Sequence, residues 1–380
     1  MNKIVIAVDS FKGSLSTFLS AKAIEEGIKQ VYPNVQVHAS PVADGGEGTV
    51  EAIISSRSGE YIEVNVHNPV GNIIKASYGI IPQTKTAVIE MSAAAGITLI
   101  KKEEQNPLNT TTYGVGEMIL DAIAKGCRNF IIGIGGSATN DGGIGMLQAL
   151  GYEFLDANGN QVPFGAKGLK DIAQIKTDKA LLELKDCSFN VACDVKNVLC
   201  GQNGCSAVYG PQKGATPSMI KDMDSWLKNY ANLTKKALPN SNENLAGTGA
   251  AGGLGFAFLS YLNSTLKSGI DLVIKETELE KYVKDADMVI TGEGRLDGQS
   301  YMGKAPIGIA KLAKKYDKPV IAFSGCVSKD ADGCNQHGID AFFPIVRKPC
   351  SLEEAMNCDN AYANLKDTVI QVFRLIKTFC

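Results

Sequence analysis

No stretch of this chain approaches the roughly 18 consecutive apolar residues that a membrane-spanning helix requires. The opening "MNKIVIAVDS" is too short an apolar run for a secretory signal, and no small-residue cleavage site follows it. Histidine is scarce, at three residues, and neither an H-E-x-x-H pair nor a G-x-S-x-G elbow occurs, so acid–base work falls to carboxylates and lysines. Charge of one sign is missing too. With 38 Lys and Arg against 40 Asp and Glu, the formal net charge of −2 gives no general pull toward nucleic acid or anionic lipid. Ten cysteines are present, but no C-x-x-C pair occurs among Cys187, Cys193, Cys200 and Cys205, and neither His38 nor His67 lies near them in sequence. Reduced, packed thiols are expected rather than a zinc site, and the cytoplasm is the expected compartment.

Glycine, by contrast, is plentiful: 40 of 380 residues, against an average share of roughly 7%. The glycines are not periodic, so neither collagen nor a solenoid is implied, and they cluster in loops, where backbone can approach a ligand closely. The length exceeds what one ordinary core organises and favours two domains. "KIVIAVD" (Lys3–Asp9) is continuously apolar, as a buried parallel strand is. Ser14 and Ser16 offer N-caps for the helix that follows, Pro33 closes it, and "VQVHASPVA" and "EGTVEAIISS" continue a strand–helix rhythm. The rhythm returns late in "ADMVITGEG", "APIGIAKLAKKY", "KPVIAFSG", "DAFFPIV" and a long closing helix. The expected fold is α/β: a doubly wound parallel sheet of about five strands built from both chain ends (1–60 and 286–380), with a mixed α/β domain (61–285) inserted.

Six loops carry the chemistry-bearing residues. "DSFKGSLS" places Asp9, Ser10 and Lys12 at a strand end leading into a helix N-terminus, a setting that favours anions. "PVADGGEGT" sets Asp44 and Glu47 around two glycines, suited to magnesium or to a hydroxyl-bearing substrate, or simply to a turn. "GIGGSATNDGG" (Gly133–Gly143) fits G-x-G-x-x-A after a strand, but "TND" intervenes before the helix, against a dinucleotide fingerprint and in favour of a phosphate-contacting loop. "GTGAAGG" (Gly247–Gly253) also spells G-x-G-x-x-G, yet the polar residues before it cannot form a strand. Flexible backbone near a nucleotide and close helix packing both remain open there. Gly298 to Lys304 reads G-x-x-x-x-G-K, with Ala305 where a P-loop needs Ser or Thr. Glu293, Arg295, Asp297 and Lys304 crowd the same strand end. Finally, "ACDVKN" and "YGPQKGAT" offer Asp194 and Lys213, each equally readable as a surface charge.

Together with "NPLNTTTYGVGE", "FNVACDVKNVLCG" and "TGEGRLDGQSYMGKAPIGIA", these blocks resemble, in order and spacing, the bacterial type 1 glycerate kinases over nearly the whole chain. The resemblance implies ATP-dependent phosphorylation of D-glycerate on the 2-hydroxyl, with the 3-hydroxyl as alternative, and a flavodoxin-like domain made from both ends. One block departs: where the family tends to read "HDPLGR", this chain has "HNPVGN" (His67–Asn72), which bears on the choice of hydroxy acid.

On this reading ATP and Mg2+ are the cofactors, the partners are small molecules, and the protein is a monomer or homodimer. Asp194 or Asp297 takes the hydroxyl proton. Lys12, Lys213, Lys304, Ser10, Gly135, Gly136, Ser137, Gly249 and Gly252 serve the phosphates and nucleotide. Asp44, Arg295 and Asn140 meet the substrate, with Arg295 forking its carboxylate. Asp141, Glu47 and Glu293 are the magnesium candidates, with Asp44 beside them. An NAD-dependent hydroxy-acid oxidoreductase and a non-catalytic sensor of small acids are the rival readings.

Overall fold

The apolar runs at the two chain ends do form one sheet. In the computed structural model, which describes residues 1–298 and 300–379, five strands lie in the order Gln36–Ala39, Lys3–Val8, Met288–Leu296, Val320–Val327 and Ala341–Pro344. All four pairings are parallel, with Ile4 beside Met288 and Val289 beside Val320. Numbered within this unit the order is 2-1-3-4-5, the doubly wound order of flavodoxin-type sheets. One face, carrying Ile4, Ile6, Val8, Ile290 and Phe323, packs with Ile24, Ile28, Leu365, Val369 and Phe373 of the helices Thr17–Val31 and Cys358–Lys377. Gly27 lets those helices touch, since a Cβ there would lie 2.8 Å from Val369 Cγ1. Ser16, not Ser14, caps the first helix by accepting the Leu19 amide at 3.2 Å. Ser14 instead donates to the Phe11 carbonyl at 2.9 Å.

This unit comprises Met1–Asp44, Glu51–Arg57 and Ser268–Cys380, and the other Gly45–Val50 and Ser58–Lys267. The return to the first unit therefore comes at Ser268 rather than at residue 286. The helices Gly269–Glu276 and Leu279–Lys284 precede the returning strand and belong with it. A Cβ on Gly308 would meet Ile270 Cγ1 at 2.6 Å, and Arg57 Nε donates to the Glu276 carbonyl at 2.5 Å. No glycine or proline punctuates residues 270–290, so the sequence offers no break there to mark the boundary.

The second unit is built on a six-stranded mixed sheet in the order Ser264–Lys267, Ser188–Ala192, Asn129–Gly133, Thr86–Glu90, Ile73–Ile81 and Glu60–His67. The first four run parallel. The alternating "YIEVNVH" and "IIKASYGII" form an antiparallel hairpin, as period-two patterning requires of a half-covered edge. Its core stacks Phe130 on Phe189 at 4.6 Å between ring centroids. The helix Pro217–Ala237 starts on the Thr216 hydroxyl, which accepts the Met219 amide at 3.3 Å, with proline tolerated in its first turn.

All nine cysteines among the described residues are free thiols; the tenth, Cys380, lies outside them. Cys187 and Cys193 are pushed up to about 11 by burial, the behaviour of packed rather than reactive thiols. Among the described residues, no helix is long and apolar enough to cross a membrane.

Candidate active-site loops

In the first unit the chain order reverses between Lys3–Val8 and Met288–Leu296, and ligands of such sheets bind where the order reverses, at the strand C-termini. Asp9 stands there. Its amide donates to the Gly292 carbonyl at 2.9 Å, and its Oδ1 accepts the Ser10 amide at 2.6 Å. The residue is 3% exposed. Burial first, then the nearby charge of Asp44, push its pKa up to about 7, against the Ser10 hydrogen bond and Lys12. Glu293, two residues beyond Thr291 on the adjacent strand, is also raised, chiefly by burial, while the Ser300 hydroxyl that donates to its Oε1 and the charge of Lys304 oppose the rise. The strand is closely approached beside it: a Cβ on Gly294 would lie 3.2 Å from the Lys12 amide nitrogen, so the Phe11–Lys12 backbone rests directly on this strand.

Around this carboxylate pair the sequence candidates sit in different settings. Lys12 is exposed, while Ser10, Asp44, Asp297 and Lys304 are half-buried. Lys304 occupies the N-cap of the helix Ala305–Lys314. The Arg295 side chain is 65% exposed, with Nε 3.3 Å from Asp297 Oδ2. Asp330 steadies the turn by accepting the Gly298 amide at 2.8 Å. Within the G-x-x-x-x-G-K run Gln299 lies outside the described residues, and residues 300–302 make a single tight turn before the helix.

In the second unit the loop Gly133–Gly143 follows the strand Asn129–Gly133. Its first glycines are packing requirements: a Cβ on Gly133 would meet the Gly45 carbonyl at 2.5 Å, and one on Gly135 the Gly46 Cα at 3.0 Å. Gly136, at φ +72°, is the exposed tip. The helix opens only at Ile144, well beyond Ala138, so the dinucleotide fingerprint fails on its geometry. "GTGAAGG" resolves as close packing. Ala251, Gly252 and Gly253 are all left-handed, the Gly142 amide donates to the Gly252 carbonyl at 2.9 Å, and a Cβ on Gly252 would lie 2.1 Å from the Thr139 carbonyl oxygen. Gly249 is similarly spent, its Cβ position 2.2 Å from the Val198 carbonyl oxygen. Gly252→Ala is expected to destabilise the second unit by about 2–4 kcal/mol, through overpacking and the left-handed backbone, read as a lower denaturation midpoint.

Three more candidates turn inward. Asp141 is completely buried. Its Oδ2 accepts the Thr112 amide and hydroxyl at 2.8 and 2.9 Å and the Gly145 amide at 3.4 Å, and Oδ1 accepts the Gly143 amide at 3.1 Å. It ties the loop to the threonine run Thr110–Thr112; burial pushes its pKa up while these four donors hold it down. Asn140, also fully buried, donates to the Ser206 hydroxyl at 2.8 Å. Lys213 is 2% exposed, and its ammonium donates to Ser137 Oγ at 2.8 Å and to the Thr139 carbonyl at 2.6 Å. Asp194 and Glu47 are exposed. Among the described residues no three His, Cys, Asp or Glu side chains come together to hold an ion. These residues do not fit a protein-built metal cage.

Asp9 and Glu90 carry more than their sequence signal suggested. Glu90 ends the strand Thr86–Glu90, accepts the Val50 amide at 2.9 Å and has its pKa raised by burial. The signal for both was position, a carboxylate at the C-terminal end of a buried strand. The departure at "HNPVGN" also finds a local explanation: Asn68 Oδ1 accepts the Val70 and Asn72 amides at 3.0 and 2.9 Å, closing the hairpin turn as an aspartate would.

Comparison with known proteins bears on the family and the fold. The family model described as the glycerate kinase family matches residues 4–377. A protein of Escherichia coli K12 named glycerate 2-kinase is 49% identical over 363 residues, 96% of this chain and 95% of its own. A Bacillus subtilis glycerate kinase is 48% identical, covering 93% of this chain and 92% of its own. A crystal structure from Salmonella typhimurium LT2, described as a glycerate kinase 2 candidate, superposes with a TM-score of 0.89 at 44% identity, covering 99% and 98% of the two chains. Sequence, sheet order and whole-chain similarity therefore converge: the chain belongs to the glycerate kinase family.

Proposed function

We propose that this protein transfers the γ-phosphoryl group of ATP to the 2-hydroxyl of D-glycerate, giving 2-phosphoglycerate and ADP. The observation that carries this reading is the near-complete, 49% identical match to a protein named glycerate 2-kinase. The hydroxyl oxygen attacks the γ-phosphorus, the bond to the β-phosphate oxygen breaks, and the hydroxyl proton passes to a carboxylate. Asp9 is the group suited to receive it, because a base with a pKa near 7 is half ionised at neutral pH and still holds a proton firmly. This role moves from Asp194, which is exposed, and from Asp297, which stands beside Arg295. The exposed Arg295 guanidinium suits the glycerate carboxylate. Lys12 and Lys304 bring positive charge to the first unit's strand ends, and the Gly135–Ser137 backbone remains the phosphate-contacting candidate of the second. Magnesium accompanies ATP as the phosphate counter-ion, in the manner of an ion that keeps much of its water. The proposal includes a cytoplasmic enzyme, monomeric or homodimeric, with small-molecule partners only.

The test is Mg-ATP consumption with D-glycerate, coupled through enolase and pyruvate kinase, with and without phosphoglycerate mutase. Signal without mutase is expected and identifies the 2-phosphate. Signal only with mutase would move the reaction to the 3-hydroxyl, and absence of ADP in both would overturn glycerate as substrate.

A further inference from the structure

We infer that Lys213 is a positioning residue that charges the Gly135–Ser137 loop from beneath, improving the loop's hold on the phosphates of ATP without touching them. The inference rests on the kinase reading above. Its ground is the placement of the ammonium, which contacts Ser137 Oγ and the Thr139 carbonyl, directly behind the exposed tip at Gly136. The turn that carries the lysine is held in place by its backbone. The Lys213 amide donates to the Gly210 carbonyl at 3.0 Å, and a Cβ on Gly214 (φ +89°) would lie 2.1 Å from the Gln105 carbonyl oxygen.

A cation in such a place is costly to bury, and an apolar side chain of similar volume often packs as stably. What the lysine adds is fixed positive charge in a low-dielectric setting, one hydrogen bond from the loop surface, already oriented before the anion arrives. Desolvation lowers its pKa to about 8, opposed by the fully buried Asp141; Cys205, also fully buried, is the other titratable group beside it. Cys205 itself is pushed up to about 11 and stays neutral in the range of interest. The sign follows. The ammonium is present below pH 8 and is lost as pH rises through it, so the loop's affinity for phosphate falls on the alkaline side.

The experiment is calorimetric titration of the intact protein with ATP from pH 6.5 to 9.5, for wild type, Lys213→Met and Ser137→Ala, with melting temperatures measured alongside. Wild type is expected to lose about tenfold in ATP affinity across pH 8. Lys213→Met should bind ATP at least tenfold more weakly at pH 7, show no alkaline limb, keep its glycerate KM and melt within a few degrees of wild type. Ser137→Ala, which leaves the ammonium in place, should keep the limb. Wild-type binding that is flat from pH 7 to 9 would overturn the inference, whether or not Lys213→Met folds. So would a Lys213→Met protein that weakens ATP, glycerate and melting temperature together, the mark of a merely structural role. An intact alkaline limb in ATP binding without glycerate turnover would sink the substrate assignment and leave this inference standing.

Discussion

Asp9→Asn is expected to lower kcat by about 10²–10⁴-fold, the usual worth of a positioned general base, while the KM for ATP stays near its wild-type value. In wild type, kcat/KM should fall as pH drops through about 7, because protonation of Asp9 removes the acceptor. The acidic limb should vanish in the variant. Stability must move the opposite way. The folded-state pKa lies above the ordinary value of 3.8, so between about pH 4 and pH 7 the folded protein binds more protons than the unfolded chain, and stability declines as pH rises through that window. Above pH 7 the full penalty of a buried carboxylate is present. Asp9→Asn removes it, and the variant should be more stable there by about 2–4 kcal/mol, at 1.36 kcal/mol for each unit of pKa. Below pH 4 the gain disappears. A variant that is less active and less stable at every pH would remove Asp9 from the mechanism.

Asp141 gives the second large effect, of a different kind. Its carboxylate receives four hydrogen bonds in a completely buried site. Asp141→Ala removes the acceptor of all four donors, and each one left buried without a partner costs about 1–3 kcal/mol. A loss of about 3–5 kcal/mol is expected, with the variant accumulating as unfolded or partly unfolded protein. Asp141→Asn is the sharper test. Its carbonyl oxygen can keep the Thr112 and Gly145 donors while its amide group faces the Gly143 N–H, so one bond is lost and about 1–2 kcal/mol with it. Turnover per folded molecule and the dependence on magnesium concentration should both be unchanged. A shifted magnesium requirement in Asp141→Asn would restore this residue to the metal site.

Asp141 also shows how far the sequence could be read. The loop was identifiable from its glycines and its place after a strand, but the direction in which its carboxylate points depends on Thr110–Thr112, some thirty residues earlier, and nothing in "GIGGSATNDGG" encodes that partner. Lys213 was legible as a cation in a glycine-bounded turn and illegible as buried, because its acceptors, Ser137 Oγ and the Thr139 carbonyl, are more than seventy residues away. The parallel sheet of the first unit was readable, since continuous apolar runs have few other homes. The helices Gly269–Glu276 and Leu279–Lys284 were not assigned correctly, because helical periodicity reveals an apolar face but not which sheet covers it. Asp9 was visible in its motif, yet its raised proton affinity comes first from burial and then from the charge of Asp44, both of which only folding supplies.

The opening strand Lys3–Val8 is an interior strand, flanked by Gln36–Ala39 and by Met288–Leu296. During synthesis the first neighbour is available almost at once. The second emerges roughly 250 residues later, on the order of tens of seconds at ribosomal rates. Throughout that interval one edge of an apolar strand has no native partner, while the second unit is made almost continuously and can fold first. The nascent chain therefore has a defined window of exposure, with an open strand edge prone to pairing with other chains, that closes only when the returning strand leaves the ribosome.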